Sequence, residues 1–182
     1  DFPYTEDDII KEKLDKLTQI VFKSNNINLK KNTINHKRKG VCIWFIGLSA
    51  SGKTTLANAV KDRLLGMNPD RKIVHIDGDK NVNILFKQYL LSNQTKTKNR
   101  NWATLLSSYR VSEFIKDSDT IVIVTTTTPF YKPRLYNRWL IEKYGKYIEI
   151  LMDTPLDICK KRDPKNLYKK VDNGEINSFV GI

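Results

Sequence analysis

The sequence predicts an α/β domain, a parallel sheet with helices on both faces. Two observations carry this expectation. Four short runs rich in β-branched residues recur along the chain, Val41–Ile46, Lys72–Ile76, Ile121–Val124 and Tyr147–Leu151. Such near-continuous apolar runs are how strands covered on both faces read. Helical patterns separate them, and strands alternating with helices build parallel βαβ units. The 182 residues suit one domain with a short appendage, and 40% hydrophobic with 29% charged residues is ordinary for a globular chain.

The elements follow in order. Thr5-Glu6-Asp7-Asp8 makes a helix start with acidic residues in the first turn. Ile9, Ile10, Leu14, Leu17 and Val21 then recur at helical spacing, so residues 1–22 read as one amphipathic helix. Residues 23–38, rich in Lys and Asn, read as a linker. The division expected is therefore an N-terminal helical extension and linker at 1–38 and a compact domain at 39–182. Inside the latter, the first strand is followed by a loop over Gly47–Thr55 and a helix over Leu56–Leu65. The second strand ends at Asp77-Gly78-Asp79. Residues 80–116 read as largely helical, with a polar break over Ser92–Asn101. A helix is predicted over Pro133–Lys143, and another begins at Pro155.

Composition narrows the function classes. Thirty-two Lys and Arg against 20 Asp and Glu give a net charge of +12. The basic residues are spread along the chain, and aromatics do not interleave with the short clusters Lys37–Lys39 and Lys160–Arg162. The charge therefore fits an anionic small substrate better than a nucleic acid. No apolar run approaches the ~20 residues of a membrane span. Cys42 and Cys159 lie in apolar runs, as buried reduced thiols would. The expectation is a cytoplasmic protein. Asp1 at the start also allows an organellar one whose targeting segment was trimmed.

Gly47-Leu-Ser-Ala-Ser-Gly52-Lys53-Thr54 fits G-x-x-x-x-G-K-[ST], with a buried strand before it and a helix after it. The chemistry follows from the residue types. Gly47 and Gly52 permit a tight turn whose N–H groups point at phosphate oxygens. The following helix adds its positive end. Lys53 reaches the β- and γ-phosphates, and Thr54 offers a hydroxyl to Mg²⁺. Gly47, Ser49, Ser51, Gly52, Lys53, Thr54 and Thr55 are thus the candidate ATP-phosphate residues of a P-loop NTPase fold. The chain is short for a motor ATPase and lacks a guanine-reading Asn/Thr-Lys-x-Asp, which leaves a small-molecule kinase. Asp77 ends a strand about 25 residues later. A carboxylate there can take a proton from an attacking hydroxyl or hold Mg²⁺. Lys53 and Asp77 are the candidate catalytic pair, and Thr54 and Asp77 the candidate metal residues.

Gly47 to Ala59, Ile76-Asp77-Gly78-Asp79 and the tail Tyr147–Ile182 together resemble the adenylylsulfate kinase family. The resemblance covers residues 40–79 and 119–182. It implies phosphoryl transfer from Mg-ATP to the 3′-hydroxyl of adenylylsulfate. It also implies that Arg162 lies beside the ATP adenine and that Asp79, Thr128, Pro129, Lys169, Lys170, Phe179 and Gly181 meet the acceptor, Phe179 by stacking on its base. A homodimer, with a fused or adjacent ATP sulfurylase, belongs to the same expectation. The departures fall in the acceptor half. The family's Asp-Gly-Asp-Asn-x-Arg becomes Asp77-Gly78-Asp79-Lys80-Asn81-Val82-Asn83, without the arginine. A gap-free reading lays Ser92, Lys96 and Asn99 on the family's serine, arginine and asparagine, and puts Asn101 and Trp102 where two arginines stand. Lys80, Lys96, Arg100, Arg134 or Arg138 could serve instead. The alternatives are a kinase for another nucleotide-linked acceptor, or a catalytically silent nucleotide-binding domain.

Overall fold

The computed structural model describes residues 39–78, 96–116, 118–177 and 179–180; for 96–103 it describes the backbone. The N-terminal extension, Lys80, Ser92 and the candidate site residues Asp79 and Gly181 lie outside the described residues, as do the side chains of Lys96, Asn99, Arg100, Asn101 and Trp102.

The elements run β1 (Val41–Gly47), α1 (Lys53–Met67), β2 (Ile73–Asp77), α2 (Lys96–Ile115), β3 (Ile121–Thr125), α3 (Tyr131–Glu142), β4 (Lys146–Met152), α4 (Leu156–Arg162) and α5 (Leu167–Asp172). The strands form one parallel sheet in the order β2-β3-β1-β4. This is an α/β P-loop fold, and side-chain alternation explains why helices cover both faces. Cys42, Trp44 and Ile46 of β1 join Val122, Val124 and Tyr147 on one face, against Val111, Phe114 and Ile115 of α2 and Ile141 of α3. Phe45 joins Ile121 and Ile123 on the other, against Ala57, Val60 and Leu64 of α1. Fully burying one such side chain contributes about 1.5–3 kcal/mol.

The chain leaves β1 through α1 on one face and leaves β3 through α3 on the other. Between these neighbouring strands the topology switches direction, and ligand crevices of open α/β sheets form outside the strand ends at that point.

Two elements differ from the sequence reading. The helix before β3 already begins at Lys96, inside the stretch read as a polar break. From Thr104 to Ile115 it is buried except at Tyr109 and Glu113, although Thr104, Ser107, Ser108, Arg110 and Ser112 are polar. The six-residue α5 is a further element that periodicity does not announce. No helix among the described residues is long and apolar enough to cross a membrane.

Candidate active site

The P-loop joins β1 to α1 at the switch point. Gly47 has φ 146, and a Cβ there would lie 2.8 Å from the Met152 carbonyl oxygen. Gly52 has φ 95 in the left-handed region and caps α1, so both turns need glycine. The Lys53 ammonium donates to the carbonyl oxygens of Gly47 at 3.0 Å and Leu48 at 2.5 Å. It thus rests along the loop it is expected to leave for a phosphate.

A cleft of about 1020 Å³ opens above the loop. Ser49, Ala50, Ser51, Gly52, Lys53, Thr54 and Thr55 line its floor. Asp77, Thr125, Thr126 and Thr127 line one wall, and Met152, Thr154, Arg162, Pro164 and Lys165 another. Three cations, Lys53, Arg162 and Lys165, stand against the single carboxylate of Asp77 in the charge balance of these lining residues, so the cleft attracts anions. The sequence separates Lys53, Asp77 and Arg162 widely, and the fold brings all three to one space.

Asp77 closes β2, in register with Thr125 of β3. Gly78 follows, buried so tightly that a Cβ would sit 2.8 Å from the Thr126 methyl. That close approach fixes the turn that carries the carboxylate. Thr126 and Thr128 are fixed from below. The indole N–H of buried Trp44 donates to Thr126 Oγ1 at 2.9 Å and Thr128 Oγ1 at 3.1 Å, and the two hydroxyls bond each other.

The other sequence candidates fall as follows. Thr128 is 3% exposed with its hydroxyl turned to Trp44, and neither it nor Pro129 is among the residues lining the cleft. Arg162 lies over the loop, its guanidinium 3.8 Å from where a Gly52 Cβ would stand. Lys169 and Lys170 are exposed on α5, and Phe179 packs edge-on against Tyr168 with ring centroids 5.0 Å apart. Arg134 and Arg138 are engaged elsewhere. Arg134 faces Glu149 at 3.8 Å, and Arg138 pairs with Glu142 at 3.1 Å and stacks 4.9 Å over Tyr147. Neither is among the residues lining this cleft.

Sequence reasoning missed Asp163. It is 9% exposed, and its carboxylate accepts the N–H groups of Leu167, Tyr168 and Lys169 at 2.8, 3.0 and 3.1 Å. These are the orphan donors of the first turn of α5, whose N-cap Asn166 makes no side-chain cap bond. Burial pushes the Asp163 carboxyl up. The three backbone donors and the charge of Lys169 outweigh it, so the net pKa lies below the ordinary value. A depressed carboxylate contributes stability above its unfolded pKa and loses it as pH falls through the folded one. Asp163→Asn is therefore expected to melt lower than the parent by a constant margin above about pH 5, with the margin closing below about pH 4. Thermal melts across pH 3–7 check this, and a margin independent of pH would refute it.

The family model for adenylylsulphate kinase matches residues 39–182. An adenylyl-sulfate kinase of Clostridium acetobutylicum is 35% identical over 170 residues, covering 92% of this chain and 79% of its own. The chain belongs to the adenylylsulfate kinase family. An adenylyl-sulfate kinase of Clostridium kluyveri is 39% identical over 145 residues, 80% of this chain and 68% of its own. Among solved structures, the Mycobacterium tuberculosis APS kinase in complex with AMPPNP and APS superposes with a TM-score of 0.69 at 30% identity, covering 80% of each chain. The family resemblance in the sequence thus holds.

Proposed function

We propose that this chain transfers the γ-phosphoryl group of ATP to the 3′-hydroxyl of adenylylsulfate, giving 3′-phosphoadenylylsulfate and ADP. The observation that carries the reading is one cleft, in a member of this family, that joins an intact P-loop to the carboxylate of Asp77.

The residues present fit a magnesium ion. Thr54 and Asp77 offer hard oxygen donors into the cleft. Among the described residues no group of three or more His, Cys, Asp or Glu converges. Such a partial donor set suits Mg²⁺, which keeps waters and shares substrate phosphates. When bound, the ion would neutralise charge on the phosphate oxygens.

The chain's own residues do the remainder. Loop N–H groups and Lys53 hold the phosphates, so the terminal phosphorus faces the acceptor. Asp77 accepts the 3′-hydroxyl proton as the new O–P bond forms and the bond to the ADP oxygen breaks. Arg162 covers the adenine of ATP. Asp79, Lys169, Lys170, Phe179 and Gly181 hold the acceptor, Thr128 supports the threonine wall from beneath through Trp44 rather than meeting the acceptor, and the lid from Arg162 to Phe179 excludes water. Residues 39–182 are the kinase domain and 1–38 an extension preceding it. The resemblance adds a homodimer, which a light-scattering mass of one chain would contradict.

The test is ADP release from Mg-ATP with and without adenylylsulfate, the product being weighed by mass spectrometry. Release that depends on adenylylsulfate, with a product heavier by one phosphoryl group, is the expected result. ATP binding without adenylylsulfate-dependent release overturns the acceptor assignment.

A further inference from the structure

Two side chains distant in sequence hold carbonyl oxygens of the P-loop. The Tyr168 hydroxyl donates to the carbonyl oxygen of Ser49 at 3.0 Å, across 119 positions. The Thr154 hydroxyl donates to the carbonyl oxygen of Ser51 at 2.9 Å, across 103 positions. Neither residue belongs to the phosphate-binding motif. Thr154 follows the end of β4 and Tyr168 sits in α5.

The consequence follows from peptide geometry. No peptide bond in the described chain is cis. In a trans peptide the C=O and the next N–H point in opposite directions. Holding the Ser49 carbonyl on Tyr168 turns the N–H of Ala50 away from Tyr168, and holding the Ser51 carbonyl on Thr154 turns the N–H of Gly52 away from Thr154. Ala50 and Gly52 both line the cleft. Inward N–H groups are what a P-loop offers to phosphate oxygens.

The loop needs such restraint. Ala50 has φ 59, in the left-handed region that residues with a Cβ avoid. Strained backbone persists where its surroundings over-determine it. Tyr168 suits the task because it is fixed itself. It is 1% exposed, its N–H is bound by Asp163, and its ring meets Phe179 edge-on. Thr154 lies on the cleft wall beside the loop.

We infer that Thr154 and Tyr168 are positioning residues for ATP, struts that aim the N–H groups of Ala50 and Gly52 at its phosphates. The inference rests on the ATP reading above. It also implies that the 162–172 segment is mechanically joined to the P-loop through Tyr168.

The test compares Tyr168→Phe, Thr154→Val and Thr154→Ser with the parent, in the full chain. Tyr168→Phe removes one oxygen and keeps the ring. Thr154→Val keeps the shape and loses the hydroxyl, and Thr154→Ser keeps the hydroxyl. Mg-ATP and Mg-ADP dissociation constants come from calorimetry, and kcat and both KM values from steady-state rates. Tyr168→Phe and Thr154→Val are each expected to weaken both nucleotides about 3–10-fold, the worth of one net hydrogen bond, and to raise the KM for ATP alike. The acceptor KM should stay unchanged, and Thr154→Ser should restore affinity. A parent that binds Mg-ATP, with folded Phe and Val variants that bind it equally well, overturns the inference. A loss that Thr154→Ser shares with Thr154→Val overturns the strut at Thr154, since packing would then be the cause. A parent that fails to bind Mg-ATP removes the ATP reading itself, a result distinguishable from the others.

Discussion

Lys53→Ala is expected to lower kcat with saturating Mg-ATP and acceptor by about 10²–10³-fold, a loss of about 2.7–4 kcal/mol of transition-state stabilisation. The ammonium is the one cation that the P-loop itself carries into the cleft. In the structure it is held by the carbonyl oxygens of Gly47 and Leu48, groups that a phosphate oxygen can replace as its partner. Charge builds on the oxygens around the transferred phosphorus during reaction, so a positive charge that meets them there lowers the barrier. Lys53→Arg should recover little. The site presents a compact bay between two loop carbonyls, and a planar guanidinium cannot occupy it as a point charge does. Steady-state rates and calorimetric ATP affinity separate the effects. A fall in affinity with kcat intact would show that Lys53 serves ground-state binding alone.

Much of this architecture is legible in the sequence because it is local. The run Val41–Ile46 reads as a strand buried on two faces, and its odd and even residues do enter two different cores. The loop motif and Asp77 at a strand end also need only short windows. What escapes those windows is contact across the chain. The six-residue α5 is too short to show a period, and its cap comes from Asp163, three positions before its N-cap Asn166. The helix over Lys96–Ile115 is buried nearly all round in its second half while rich in Ser and Thr, so it shows no apolar stripe and its start reads as a break. Ser108 meets its needs inside, against the Thr104 carbonyl and Asn137. Arg134 and Arg138 show the same limit from the other side. Proximity to β3 in sequence makes them candidates for the acceptor, and sequence alone does not show that in the structure they meet Glu149, Glu142 and Tyr147.

The threonines of the cleft follow a different logic from its P-loop residues. The loop is shaped by Gly47 and Gly52, and its Ser49 and Ser51 carbonyls are held by Tyr168 and Thr154. The lining also includes a run of threonines, Thr125 to Thr127, of which Thr126 accepts the indole N–H of Trp44. Hydroxyls orient a ligand without neutralising it. Among the described lining residues, the positive charge of the cleft comes from Lys53, Arg162 and Lys165.

Asp77→Asn should separate the carboxylate's two conceivable duties, and the expected fall in kcat is about 10²–10⁴-fold. The change is isosteric, and the Gly78 turn that carries the group is fixed by backbone packing on Thr125 and Thr126, so the geometry should survive. An amide cannot accept the acceptor's proton. It keeps an oxygen that can face a hydrated cation. If Asp77 acts as proton acceptor, raising Mg²⁺ will not restore the rate, and Mg-ADP affinity will stay close to the parent value. If Asp77 acts through the ion, excess Mg²⁺ or Mn²⁺ will recover much of the rate, and nucleotide affinity measured at low metal will fall with the substitution. Unchanged kcat at all metal concentrations would refute both roles. Asp77 closes β2 beside Thr125, on the wall of the same cleft whose floor is Lys53 and Thr54.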